Sequence, residues 1–225
     1  MTIFDSYTVF EKIINPLLPL LSKAADSIKN DENTYKFSLF FFVVNLLYGI
    51  VKRTKSIRLL ITEIKTTPDQ PTSFNLIQAS PSMYSEAFSR YDPAIFRRIF
   101  YQLLEKLNFM EIEELKSLGR FLCVDGSIFP AFKTMDWAHY KTRCHAIKIH
   151  MAFELNRMIP VKFITTDANF SEKKALLMML ENGVTYIADR GYMSFSLFHQ
   201  INLKSAFFII RVKKRLIYTL TEELS

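Results

Sequence analysis

The chain has 225 residues, of which 49% are hydrophobic and 23% are charged. This length suits one large domain or two small ones, and the composition excludes a wholly disordered chain. The net charge is +7; residues 1–120 carry 15 basic against 13 acidic side chains, and residues 121–225 carry 14 against 9. A basic balance favours polyanions such as nucleic acid or an anionic membrane surface, but many basic proteins bind no nucleic acid.

Cysteine usage and hydropathy set the expected compartment. Cys123 and Cys144 lack metal-ligand spacing, and no signal peptide accompanies them. We therefore expect reduced thiols and a cytoplasmic protein. The most apolar stretch, Phe37 to Val51, is shorter than the roughly 20 residues that span a bilayer, so it predicts a buried core helix and no membrane partner.

Residues 1–118 are predicted to form an all-α domain. Apolar residues recur at three- and four-residue steps, which places them on one helical face; these are Leu39, Phe42, Val43, Leu46, Leu47 and Ile50, then Ile57, Leu60, Ile61 and Ile64. Two prolines within residues 66–71 break the pattern. Ser80-Pro81 and Asp92-Pro93 each predict the start of a further helix.

From residue 119 onward, the spacing of apolar residues changes from the helical period of 3.6 residues to the period of two residues that is typical of β-strands. Residues 121–124 form a short apolar run that ends at Asp125-Gly126, and residues 145–155 alternate, with Lys148, His150 and Glu154 on the less apolar face. Strands are also predicted at 160–166, 184–188 and 206–212, and helices at 171–180, stopping at Gly183, and at 195–201. This β-ββ-α-β-α-β order predicts an α/β domain over residues 119–225.

Two of these strands run into an aspartate, at Asp125 and at Asp189. If the strands are neighbours, both carboxylates lie together, and a divalent cation would relieve their repulsion. Mg²⁺ accepts such oxygen ligands, and two ions can promote phosphodiester cleavage. The alternative is that each aspartate belongs to an ordinary turn; spacing alone does not decide between them.

The order of the motifs resembles the DDE-type insertion-sequence transposases of the insertion-sequence-four family, over roughly residues 35–215. The motifs are Val124-Asp125-Gly126-Ser127, Trp137, Lys148-Ile149-His150, Pro160 and Ala188-Asp189-Arg190-Gly191-Tyr192, with Ser56-Ile57-Arg58 and the segment from Ser82 to Arg90 in the helical half. The resemblance implies a ribonuclease H-like fold in which the first and fourth strands are neighbours and present Asp125 and Asp189.

The resemblance also implies the chemistry and the partners, with DNA binding by the helical domain of residues 1–118 and association with the nucleoid. Asp125 and Asp189 would be catalytic and would hold two Mg²⁺ or Mn²⁺ ions weakly, for nicking at transposon ends and strand transfer to target DNA. Arg190 and Tyr192 would hold DNA near the metals, with packing at a strand exit as the equal alternative. Lys148 is also predicted to contact DNA; the alternative is that Lys148 and His150 are a half-buried pair. Lys133 lies in a loop of basic and aromatic residues, which suits either contact with phosphate or simple exposure to solvent.

The family's third ligand is a Glu that follows a β-rich insertion, and no such residue is present before Ser225. Glu222 and Glu223 lie too close to the last strand to supply it. We therefore expect an inactive transposase fragment; the alternative is a DNA-binding regulator without catalysis that pairs with another transposase chain. No nucleotide cofactor is expected, because no Gly-rich phosphate loop is present.

Overall fold

The structure is a computed structural model that describes residues 10–28, 36–66, 76–106, 109–132, 135–141 and 144–212. The chain divides into two compact units, residues 1–107 and 108–225. The division precedes the predicted boundary at 118/119, because residues 111 and 112 are bound to the second unit. The Ile112 amide donates to the Asn156 carbonyl, and Glu111 pairs with Arg157 at 3.1 Å.

In the part of the first unit that the structure describes, every regular element is a helix. Residues 10–14 are helical, and the following helices are α1 (Leu18–Asp26), α2 (Leu39–Val51), α3 (Ile57–Thr66), α4 (Pro81–Arg90) and α5 (Pro93–Lys106). The predicted starts at Ser80 and Asp92 are confirmed. The Ser80 hydroxyl accepts from the Met83 amide, and the Asp92 carboxylate accepts from the Ala94 amide at 2.8 Å.

The predicted buried face of α2 is partly wrong. Ile50 is 70% exposed, whereas Asn45 and Tyr48 are buried. Nearly every residue of this helix is apolar, so periodicity cannot select a face. Asn45 is buried because its amide donates to the Ile77 carbonyl at 2.7 Å and to the Tyr84 hydroxyl at 3.0 Å.

The second unit is a mixed sheet with helices. Its elements are α6 (Glu113–Lys116), β1 (Arg120–Pro130), β2 (His139–Tyr140), β3 (Cys144–Glu154), β4 (Ile159–Asp167), α7 (Glu172–Met179), β5 (Val184–Ala188), α8 (Phe195–Leu203) and β6 (Phe207–Ile210). The main path is β4-β3-β1-β5-β6, with the short β2 also beside β3. β1 is antiparallel to β3 and parallel to β5, and β5 is parallel to β6.

The predicted element order is confirmed, with two corrections to bounds. β1 does not end at Asp125, because β3 pairs with it from Leu122 to Pro130. Helix α7 ends at Met179 rather than at Gly183, which has a positive φ of 73° in the turn before β5. In the described residues, no helix is long and apolar enough to cross a membrane.

The polar face of β3 is the buried one. Lys148, His150 and Glu154 are 8%, 1% and 2% exposed, whereas Met151 on the other face is 40% exposed. The apolar core of the unit lies on the polar side of β3, where Ala152 packs with Leu176 and Met179 of α7 and with Leu122 and Tyr186. The other face of β1 and β3 forms an open groove of about 320 Å³, lined by Cys123, Asp125, Ser127, Phe129, Ile149, Met151 and Phe153.

Candidate functional site

Asp125 and Asp189 leave neighbouring parallel strands at the same end of the sheet. The pairing of β1 with β5 runs from Arg120↔Val184 to Cys123↔Ile187, so each aspartate lies two residues beyond the last pair. Adjacent strands are about 5 Å apart. The expectation that the two strands are neighbours is therefore confirmed, and both side chains are exposed there.

The turn after β5 fixes the Asp189 side chain. Its Oδ1 accepts a hydrogen bond from the Gly191 amide at 2.7 Å, which caps a short 3₁₀ turn over Arg190–Tyr192. This bond occupies one carboxylate oxygen and orients the group. Asp125 is held by the β1–β3 ladder, opposite Met151.

Of the residues predicted to contact DNA, the structure describes Arg190, Tyr192 and Lys148, and of these three only Arg190 is exposed. Arg190 is exposed beside Asp189, as a DNA contact requires. Tyr192 is 2% exposed and packs in the core, so its ring is a packing element rather than a DNA contact. Lys148 is 8% exposed and faces Glu172, which corrects its predicted role in the same way. Lys133 lies outside the described residues.

Glu172, the first residue of α7, was missed by sequence reasoning. Its Oε1 lies 3.5 Å from the Lys148 Nζ. A Cβ built at Gly126 would lie 3.1 Å from that same Oε1. A Cβ built at Gly191 would lie 3.8 Å from the other oxygen of Glu172. Ser171-Glu172 reads as an ordinary helix start in the sequence, and only the packing of α7 on β3 and β1 brings this carboxylate beside Gly126.

The surroundings of the buried Tyr192 raise the pKa of its hydroxyl. Burial is the main cause that raises the pKa of Tyr192, and the carboxylates of Glu172, Asp125 and Asp189 raise it further. All three carboxylates are therefore within electrostatic reach of one hydroxyl.

His150 lies near the ion pair of Lys148 with Glu172, but its ring contacts Thr166 instead. Its Nε2 lies 3.0 Å from the Thr166 hydroxyl, and its buried Nδ1 has no hydrogen-bond partner among the described residues. Burial and the nearby Lys148 ammonium lower the pKa of His150, so the neutral imidazole is favoured.

The donor set fits a hard divalent cation. Asp125 and Asp189 offer carboxylate oxygens, which Mg²⁺ prefers, at a solvent-accessible end of the sheet. Across the described ranges, no group of three or more His, Cys, Asp or Glu side chains is already arranged to hold a metal ion. A cation would therefore have to draw the carboxylates together.

Comparison with known proteins agrees with this geometry. Residues 116–221 match the family described as the transposase DDE domain. The matched segment begins in α6 and includes all of β1 to β6, and with them both aspartates.

A relative in Sinorhizobium fredii, named "Putative transposase y4zB", is 27% identical to the chain over 133 residues. The alignment covers 59% of this chain and 37% of that protein. The chain thus spans little more than a third of the length of the curated relative it matches. Both similarities support a transposase.

Proposed function

We propose that this chain is a DDE-type DNA transposase of the insertion-sequence-four family with a ribonuclease H-like domain. The observation that carries the proposal is the placement of Asp125 and Asp189 beyond the last β1–β5 pair, inside the segment that matches the transposase domain. The sheet order β4-β3-β1-β5-β6, with three antiparallel strands followed by two parallel ones, supports the fold.

Asp125 and Asp189 would hold Mg²⁺ or Mn²⁺. Bound there, a metal pair supplies activation of the attacking water or hydroxyl and stabilisation of the leaving oxygen in phosphodiester cleavage. The Gly191 amide holds one oxygen of Asp189, which leaves the other oxygen to a cation. If the two carboxylates converge on one position, their like charges repel, and a cation bound between them would remove that repulsion.

Double-stranded DNA is the proposed partner, and a second transposase chain is a further expected one. Arg190 is exposed directly after Asp189, so its guanidinium can contact a phosphate near the scissile bond. The proposed roles of the two units are DNA binding by the helical unit and cleavage by the sheet unit.

The test is nicking of supercoiled plasmid DNA by the full chain with Mn²⁺ or Mg²⁺. Although the sequence alone leads us to expect an inactive fragment, the proposed site predicts nicked product from the unaltered chain, none from Asp125→Asn or Asp189→Asn, and unchanged product from Glu114→Gln, which removes an exposed carboxylate on α6. DNA binding without nicking under either metal would contradict the catalytic proposal and favour a non-catalytic regulator.

A further inference from the structure

The turn between α2 and α3, residues 52–56, carries a concentration of positive charge. With the start of α3 it places four cations among seven residues and no acidic residue between them; the four are Lys52, Arg53, Lys55 and Arg58. All four side chains are exposed. Residues 1–120 as a whole carry 15 basic against 13 acidic side chains, so this segment holds a local excess that the overall charge does not show.

Three of these cations are not used within the described part of the fold. Lys52 lies over the Tyr48 ring, 5.7 Å from its centroid. Arg53, Lys55 and Arg58 make no ion pair and no side-chain hydrogen bond with any residue that the structure describes. Neighbouring like charges without an internal counter-charge repel each other, and a bound polyanion would relieve that repulsion.

Contacts to both helices hold the backbone of this turn. The Thr54 amide donates to the Gly49 carbonyl of α2 at 2.8 Å, and the Thr54 hydroxyl donates to Glu63 of α3 at 2.8 Å. The two helices also pack closely, since a Cβ built at Gly49 would lie 3.1 Å from a methyl carbon of Leu60. The backbone that carries the cations is therefore ordered before a partner binds, which reduces the entropy lost on binding.

Arg53 occupies a backbone position that favours glycine. Its φ is 55°, in the left-handed region, two residues after the end of α2. Glycine is the usual residue at this point after a helix, because any Cβ is strained there. Among the described residues, Arg53 has no side-chain contact that would offset this strain. Its guanidinium is best explained by a contact with a partner outside the unit.

The surface around the turn suits the backbone of a nucleic acid. Arg53 and Lys55 line an open hollow of about 380 Å³ together with the apolar Leu46, Ile50 and Ile57, and no acidic residue lines it. Most hydrogen bonds between proteins and DNA go to phosphate and sugar, and they need no particular base sequence. Each cation placed at a phosphate also releases condensed counterions, which drives binding.

We propose that the α2–α3 turn is a surface that contacts the phosphates of double-stranded DNA through Arg53, Lys55 and Arg58. This inference rests on the proposed function, because it names where the helical unit would hold the DNA that the aspartate site would cleave. An anionic membrane has similar charge, but DNA is favoured because residues 116–221 match the transposase DDE domain.

The test measures binding of a fluorescein-labelled duplex of arbitrary sequence to the full chain, by anisotropy over a series of salt concentrations without divalent metal. We expect Arg53→Gln combined with Lys55→Gln to weaken binding by roughly 10- to 100-fold at about 0.1 M salt. The slope of log affinity against log salt should become shallower by about 2, because each phosphate contact contributes about 0.9. Arg58→Gln alone should make it shallower by about 1.

A matched control removes the same charge elsewhere in the unit. Lys12 and Lys23 are exposed and precede α2 in the chain. Lys12→Gln combined with Lys23→Gln lowers the net charge by the same amount, and we expect it to bind the duplex with the affinity and salt slope of the unaltered chain.

Arg53→Gly separates binding from folding. Glycine relieves the left-handed backbone, so we expect a melting temperature no lower than that of the unaltered chain, measured by far-ultraviolet circular dichroism. The affinity for the duplex should nevertheless fall, with a salt slope shallower by about 1. Unchanged binding by Arg53→Gly would overturn the role of this residue.

The outcomes separate this inference from the proposed function. Unchanged binding by the variant of Arg53 and Lys55, or an equal loss in the control of Lys12 and Lys23, would overturn the surface. Binding to phosphatidylserine vesicles without binding to the duplex would overturn it in favour of a membrane. A loss of duplex binding confined to the turn variants, in a chain that never nicks DNA with Mn²⁺, would support the surface and contradict the catalytic proposal.

Discussion

The hydroxyl of Tyr186 connects the end of α7 to β5, and we expect its removal to destabilise the second unit. The ring is fully buried, and its oxygen accepts from the Glu181 amide at 2.7 Å and donates to the Met179 carbonyl at 3.0 Å. In Tyr186→Phe, the Met179 carbonyl keeps a contact from the Lys162 ammonium at 3.5 Å. The Glu181 amide loses its hydroxyl acceptor, and we expect the free energy of unfolding to fall by about 1–3 kcal/mol at neutral pH.

The pH dependence of this effect has a definite sign. Burial is the main cause that raises the pKa of Tyr186 from 10.0 to about 12. Because the folded-state pKa is the higher one, this contribution to stability is complete below pH 10 and is lost as the pH rises from about 10 to about 12. A shift of this size corresponds to about 2–3 kcal/mol. Tyr186→Phe should lack this alkaline loss.

Urea unfolding followed by Trp137 fluorescence measures the second unit from neutral pH to pH 12. Tyr140→Phe, which removes the hydroxyl of a half-buried tyrosine in the same unit, serves as the control. Tyr192 also has a raised pKa, so the stability of Tyr186→Phe still falls somewhat at alkaline pH. The quantity to compare is therefore the difference in free energy of unfolding between Tyr186→Phe and the unaltered chain at each pH. Parallel curves for Tyr186→Phe and the unaltered chain above pH 10 would refute the reasoning.

Two further predictions concern buried polar groups, one in each unit. Asn45→Ala removes the partner of the Tyr84 hydroxyl and of the Ile77 carbonyl. We expect the free energy of unfolding to fall by about 2–4 kcal/mol, measured by melts followed by far-ultraviolet circular dichroism. An unchanged melting curve would contradict this prediction. The Glu154 carboxylate is 3% exposed and pairs with Arg120 at 2.8 Å and with Arg157 at 3.2 Å. We expect Glu154→Gln to lower the free energy of unfolding by about 3 kcal/mol, measured by Trp137 fluorescence. A decrease below about 1 kcal/mol would show that these ion pairs are not important for stability.

The sequence predicts most strand positions of the second unit because their apolar runs are short and bounded by turn residues. The strand at 184–188 has its predicted bounds, since five apolar or β-forming residues lie between Gly183 and Asp189. β1 is longer than predicted, because its second half is stabilised by β3, a partner that a local pattern does not reveal.

The faces of β3 could not be read from hydropathy. Lys148, His150 and Glu154 are buried because they pair with groups distant in sequence, such as Glu172 and Arg120. The same limit explains why Asp125 and Asp189 were found and Glu172 was not. The aspartates follow recognisable strands, whereas the position of Glu172 depends on tertiary packing alone.

The most direct test of the shared cation site is a crystal structure of the full chain soaked in Mn²⁺, with the ion located by its anomalous scattering. We predict Mn²⁺ within roughly 2–2.6 Å of carboxylate oxygens of both Asp125 and Asp189. A structure in which the two carboxylates lie more than about 10 Å apart would contradict the account, because ligands of one metal pair must lie within a few ångströms of it.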